Sequence, residues 1–182
     1  MAHIPNPTAN PSTTQRLVFQ GLTAKRRAVG TSLGGTYEAL MNHPALAQRL
    51  EELGYFLKWN GSLPGDAREF IILRSARLDD CPQIWATHTD RAKECGLPDR
   101  VVDSILRDTV ETLDEPYSLL VQLMDVVRAH QEIPQELMDQ LVDLYELKGL
   151  LEAVVLCGFY DLFASLSNGF EIGMPEGKAS SF

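Results

Sequence analysis

The chain has 182 residues, 45% hydrophobic and 23% charged, a composition that supports one packed core and excludes collagen-like and intrinsically disordered classes. Sixteen Lys and Arg against 25 Asp and Glu leave a net charge of −9, which argues against a nucleic-acid backbone or an anionic membrane as the main partner. Three cysteines, Cys81, Cys95 and Cys157, are too few and odd in number for a secreted disulfide framework, so the expected compartment is the reducing cytoplasm.

Residues 1–14 hold Pro5, Pro7 and Pro11 among Asn, Ser and Thr and read as a flexible N-terminal arm, followed by a single all-helical domain over 15–182. The first residues carry neither a basic segment nor an unbroken apolar run, so no secretory signal is expected. Helical periodicity begins near residue 15, is interrupted at Gly30, Gly34 and Gly35, and resumes over 36–41 and 44–59; Pro44 opens the second stretch and Asn60-Gly61 ends it. Pro64, Pro82, Pro98, Pro116 and Pro134 then recur near helix starts, where a missing N–H costs little. The helices predicted there span 65–78, 82–95, 98–107, 115–130, 134–146 and 148–170. No stretch of five residues between turn signals alternates apolar and polar, so the fold class is all-α, a bundle of about eight helices. The most apolar stretch, Leu150 to Leu166, is interrupted by Glu152 and Asp161, as suits a buried helix better than a lipid-facing span.

The chemistry concentrates between Leu63 and Leu97. On a helical wheel Glu69 shares an apolar stripe with Ile72, Leu73 and Ala76, and its i±3 and i±4 neighbours offer no cation. The next helix places Cys81, Ile84, Trp85, His88, Ala92 and Cys95 on one face. If both stripes turn to one core, a carboxylate and an imidazole meet there, with a thiol about two turns before the imidazole. A partly buried Glu and a His can exchange protons near neutral pH. Cys81 precedes Pro82 and reads as an N-cap; the helix terminus would lower its thiol pKa and burial would raise it, so the sign stays open. Arg77 is a candidate clamp for an anionic substrate, with a salt bridge to Asp79, Asp80 or another helix as the competing role, and Trp85 is either a wall of the pocket or core packing. The bland alternative is that Glu69 and His88 merely satisfy each other inside the core. His3, His43 and His130 form no ligand spacing with His88, and no glycine-rich phosphate loop follows a strand, so neither a metal nor another cofactor is expected.

Glu69, Cys81 and His88, spaced by 12 and then 7 residues within EFIILRSARL and CPQIWATHTDRAKECGL, resemble the signature of the carboxymuconolactone decarboxylase and alkylhydroperoxidase D-like superfamily. The segment LKGLLEAVVLCGFYDLFASLSNGF is similar to that family's closing helix, so the resemblance covers roughly residues 40–170. It implies an all-helical domain assembled into a homo-oligomer, a trimer or a hexamer, with a small-molecule active site near subunit contacts. In the alkylhydroperoxidase branch a second cysteine follows the first by three residues, and here Ile84 stands in that place. Cys95, about 21 Å along a straight helix from Cys81, is out of disulfide reach. The ILRxARL and xxWxxH pattern looks more like the decarboxylase-like members. The expected function is therefore acid–base chemistry by Glu69 and His88 on a small organic acid or lactone, with Cys81 accessory. Its rivals are a Cys81-dependent alkyl hydroperoxide reductase and a non-catalytic helical oligomer.

Overall fold

The first helix, α1 (Thr13–Ala28), begins where Ser12 and Gln15 cap each other: the Gln15 amide donates to the Ser12 hydroxyl at 3.3 Å and the Ser12 amide to Gln15 Oε1 at 2.8 Å. This capping box starts the helix two residues before the first apolar period. The computed structural model describes residues 4–179. Within the segment ahead of α1, a 3₁₀ turn spans Pro7–Ala9, Asn6 donates to Glu38 at 3.0 Å, and Asn42 donates to the Pro5 carbonyl at 2.8 Å. Residues 1–3 of the expected arm lie outside the described residues.

Among the described residues the elements that follow are all helical: α2 (Gly35–Leu40), α3 (Pro44–Tyr55), α4 (Gly65–Leu78), α5 (Pro82–Glu94), α6 (Asp99–Arg107), α7 (Tyr117–Arg128) and α8 (Gln135–Gly169). The stretch expected as one helix over 44–59 is α3 followed by a π-helical turn, Phe56–Asn60. The two helices expected at the C-terminal end run together as α8 but break at Glu146, where φ 58° and ψ 166° interrupt the helix two residues before the second was expected to begin.

Helix α4 is the axis of the fold. Every residue from Ala67 to Ala76 is buried, with Phe70, Ile71, Ile72 and Leu73 fully enclosed, because α5, α6, α7 and α8 all pack around it. Each such side chain contributes roughly 1.5–3 kcal/mol of burial. The same enclosure traps Arg68, Glu69, Arg74 and Ser75, and buried charges persist only where they are paired. Arg74 pairs with Asp108 at 3.2 Å, and Arg68 with Glu69 at 3.3 Å.

Asp80, at φ 48°, turns the chain from α4 into α5, and the Cys81 amide closes on the Ala76 carbonyl at 2.8 Å. Asn168 of α8 donates to the Asp79 carbonyl at 2.8 Å, and Arg128 of α7 pairs with both Asp79 and Asp161 at 2.5 Å. The turn is thus tied to two other helices. At 1.5 Å per residue, Glu69 stands about 15 Å back from it and His88 about 12 Å beyond it, so the antiparallel pair brings the two residues to similar height.

The π turn is held from the other side. Glu152 of α8 accepts from the Ser62 and Leu63 amides at 2.6 and 2.8 Å. A Cβ at Gly61 would come within 2.7 Å of that carboxylate oxygen, which is why glycine suits this position.

Candidate active site

Three helices contribute one hydrogen-bonded series. Glu69 of α4 accepts at 2.7 Å from His88 Nδ1 of α5, and the other ring nitrogen, Nε2, lies 3.0 Å from the Tyr160 hydroxyl of α8. Arg68 Nε closes the far end, 3.3 Å from Glu69 Oε1. Glu69 is 1% exposed and His88 7%, so water competes little for these bonds.

The electrostatics set the protons. Burial pushes the Glu69 pKa up, but His88, Arg68 and Lys58 outweigh it and bring the carboxyl below its ordinary value. Burial lowers the His88 pKa, and the opposing pull of Glu69 does not restore it to 6.5. Burial, reinforced by the Glu69 charge, raises the Tyr160 phenol well above 10. At neutral pH the series is therefore a carboxylate, a neutral imidazole donating Nδ1–H to it, and a phenol donating its O–H to Nε2. The carboxylate fixes the tautomer, and the free lone pair on Nε2 faces a hydroxyl whose proton it can accept.

All three groups line one cavity of about 320 Å³. Its other walls carry Arg26, Lys58 and Arg91, with the rings of Tyr37, Trp59 and Phe159. Arg26, from α1, is 5% exposed and grips fully buried Glu51 of α3 with two bonds, Nε to Oε1 at 2.7 Å and Nη2 to Oε2 at 2.5 Å. Its Nη1 makes no hydrogen bond among the described residues. Lys58, from the π turn, is half-buried; its Nζ lies 5.6 Å from the Tyr160 ring centroid and 5.9 Å from that of Trp59. Burial and the nearby Arg26 charge bring its pKa down to about 7, against the pull of Glu69 and Glu51. Arg26 and Arg91 beside the single carboxylate of Glu69, with Lys58 part-charged at neutral pH, make the cavity suited to a small anion.

The structure brings together two of the five residues singled out in the sequence. Glu69 and His88 meet as their shared stripes required. Cys81 does not line the cavity: it is fully buried, and burial raises its thiol pKa against the pull of the Ile84 and Gln83 amides and the Ser167 hydroxyl. Burial thus decides the sign that the sequence left open. Cys157 is also buried, its thiol raised to about 12, and no cysteine is among the residues facing the cavity. Arg77 is not at the cavity either; about 12 Å further along α4 than Glu69, it donates to the Leu106 carbonyl of α6 at 3.1 Å. Trp85 is 2% exposed and packs in the core, away from the cavity lining. The anion-holding role expected of Arg77 falls instead to side chains from the N-terminal layer and α5.

Arg26 and Tyr160 escaped the sequence reading because they come from segments far from the α4–α5 pair, and Lys58 because the π turn that carries it was read as ordinary helix. A signal existed for Tyr160, the hydroxyl-bearing member of the LCGFYDLF run, which is apolar apart from it and Asp161. Arg26 sits among Lys25 and Arg27, which masks it as an ordinary basic helix end.

A buried carboxylate, imidazole and phenol in series thus line a cavity that also carries Arg26, Lys58 and Arg91, within an all-helical fold. Residues 44–117, which contain Glu69, Cys81 and His88, match the carboxymuconolactone decarboxylase family. Tyr160 lies beyond the matched segment, and Arg26 before it. No curated protein matches the chain.

Proposed function

We propose that the protein is an enzyme of the decarboxylase-like branch of this family, acting by proton transfer on a small organic acid or lactone. The observation that carries this reading is the continuous Glu69–His88–Tyr160 series on the cavity wall. His88 accepts a proton from the substrate through the Tyr160 hydroxyl, and Glu69 stabilises the imidazolium that forms. For a decarboxylation, the substrate is held as its carboxylate; as CO₂ departs, the carbon left with the electron pair takes the Tyr160 proton, and water returns a proton to the series. Arg91 and the free Nη1 of Arg26 are placed to hold a carboxylate. The test is turnover of a panel of lactones and oxo acids by wild type and His88→Gln.

A buried Cys81 with a raised thiol pKa and Ile84 three residues on does not favour peroxide chemistry. With organic hydroperoxide and excess dithiothreitol, the protein is expected to show no Cys81-dependent consumption. Peroxide turnover that disappears in Cys81→Ser would replace the acid–base reading with a thiol peroxidase.

The same reading includes a homo-oligomer, a trimer or hexamer by family resemblance, working in the cytoplasm with its three cysteines free. Support comes from α8. Leu147, Leu151, Val155 and Leu162 are each at least 40% exposed and recur at helical spacing on one face, a surface suited to the same face of another copy. The helix is long and apolar enough to span a membrane, yet half of its most apolar window is buried within this fold. Light scattering is expected to give a multiple of 20.2 kDa for wild type and a smaller mass for Leu151→Glu. A wild type at the mass of one chain would remove the oligomer from the reading.

A further inference from the structure

The proton-transfer reading gives Lys58 no role, although this lysine stands in the same cavity as the series. Its position is unusual in three respects. It is carried on a π-helical turn, a local distortion that recurs at functional sites and is here pinned by Glu152 through the Ser62 and Leu63 amides. Its Nζ has no hydrogen bond or ion pair among the described residues, although the Glu69 carboxylate lies on the same cavity wall. The ring centroids of Tyr160 and Trp59 lie 5.6 and 5.9 Å from it, with Arg26 also on the wall. Burial and the neighbouring Arg26 charge both favour a neutral amine, the nucleophilic form of lysine, against the smaller pull of the ring faces and of Glu69.

We propose that Lys58 is a covalent catalyst whose amine forms a Schiff base with the ketone carbon of a 3-oxo acid bound in the cavity. This rests on the proton-transfer reading in taking the cavity as the active site. The Lys58 nitrogen bonds to the ketone carbon, the carbonyl oxygen leaves as water, and the nitrogen is left as a protonated imine. The bond between the carboxylate and the adjacent carbon then breaks, CO₂ departs, and the electron pair moves through that carbon to the imine nitrogen, giving an enamine. Tyr160 and His88 deliver the proton to the carbon, and water hydrolyses the imine to release the ketone and regenerate the amine. No oxidant, reductant or further co-reactant enters. An anion clamp is a weaker role for this residue. With a pKa of about 7 it is uncharged in roughly half the molecules at neutral pH, whereas Arg26 and Arg91 keep their charge.

The experiment is reductive trapping on the full-length protein at pH 7, with acetoacetate as the probe and sodium cyanoborohydride, read by peptide mass spectrometry. The expected result is an acetoacetate-dependent reduced adduct on Lys58, at least about 50-fold more abundant than on Lys25, Lys93, Lys148 or Lys178. An ordinary lysine of pKa near 10.4 is less than about one part in a thousand free amine at this pH. Adducts spread over the other lysines with Lys58 unmodified would overturn the proposal. Lys58→Arg, which keeps the charge, is expected to lose at least about 100-fold in acetoacetate turnover, and retained turnover would also overturn it. Trapping does not need His88. His88-dependent turnover without a Lys58 adduct therefore overturns the Schiff base alone, while the adduct without His88 dependence overturns the proton series alone.

Discussion

His88→Gln is expected to lower kcat by about 10²- to 10⁴-fold on whichever lactone or oxo acid the wild type turns over, the range typical for loss of a general acid–base. Glutamine can still donate to Glu69 and accept from Tyr160, so the buried carboxylate keeps a partner and the fold is retained. Alanine would leave both neighbours unsatisfied at about 1–3 kcal/mol each and confuse lost chemistry with lost stability. Tyr160→Phe and Glu69→Gln should each lower kcat as well, the first by breaking the path to the substrate and the second by releasing the imidazole tautomer. The pH profile supplies an independent check. Because burial holds the His88 pKa below 6.5, the neutral imidazole persists under that pH, and kcat/KM should fall only as pH drops through the lowered value. Stability follows the same sign: a histidine whose folded pKa is depressed favours the fold above its unfolded pKa, and that contribution is lost on acidification. Full turnover in His88→Gln, measured with the melting temperature unchanged, would reject the mechanism.

The second large effect concerns the scaffold behind the cavity. Glu51 is wholly buried and bonded twice to Arg26, so Glu51→Ala strands a guanidinium in the interior. Removing one member of such a pair costs about 3–5 kcal/mol. For a domain of this size that corresponds to a fall in Tm of about 6–20 °C. The double change Arg26→Met with Glu51→Leu should recover most of the loss, since exchanging a buried ion pair for apolar groups of similar volume is close to neutral. Its cavity would have lost one cation and should bind carboxylates more weakly. A Glu51→Ala protein melting within 2 °C of wild type would show that the pair does not anchor α1 to α3.

How far the site was legible in the sequence follows from the reach of helical periodicity. Glu69 and His88 lie on neighbouring helices joined by a short turn, and a polar residue inside an apolar stripe marks itself in one dimension. Their meeting needed only that both stripes face one core, and local geometry supplies the rest. Arg77 misled because a wheel projection keeps angle and discards height: its angle was compatible with the stripe, yet two turns along the axis place it against α6. Cys81 could not be resolved either, since the helix terminus and the burial act in opposite senses and only the packing around Ser167 and α8 decides which prevails.

The elements themselves were nearly complete in the sequence. Proline-marked starts and helical periods located α4 to α7 to within two residues, and the missed capping box at Ser12 was written there in Ser-x-x-Gln form. The break at Glu146 was there too, between the helices predicted over 134–146 and 148–170, whereas the π turn at Phe56 was not: the chain that follows it is held by Glu152 of α8, about ninety residues away. The sequence by itself determined an all-helical chain with a carboxylate and an imidazole turned inward from consecutive helices. Only the tertiary structure decided that Tyr160 completes the series, that Lys58 and Arg26 face it, and that the cysteines stand aside. Those residues are brought together by contacts between segments up to about a hundred residues apart, and periodicity within a helix carries no information about which distant side chain will fill the space opposite.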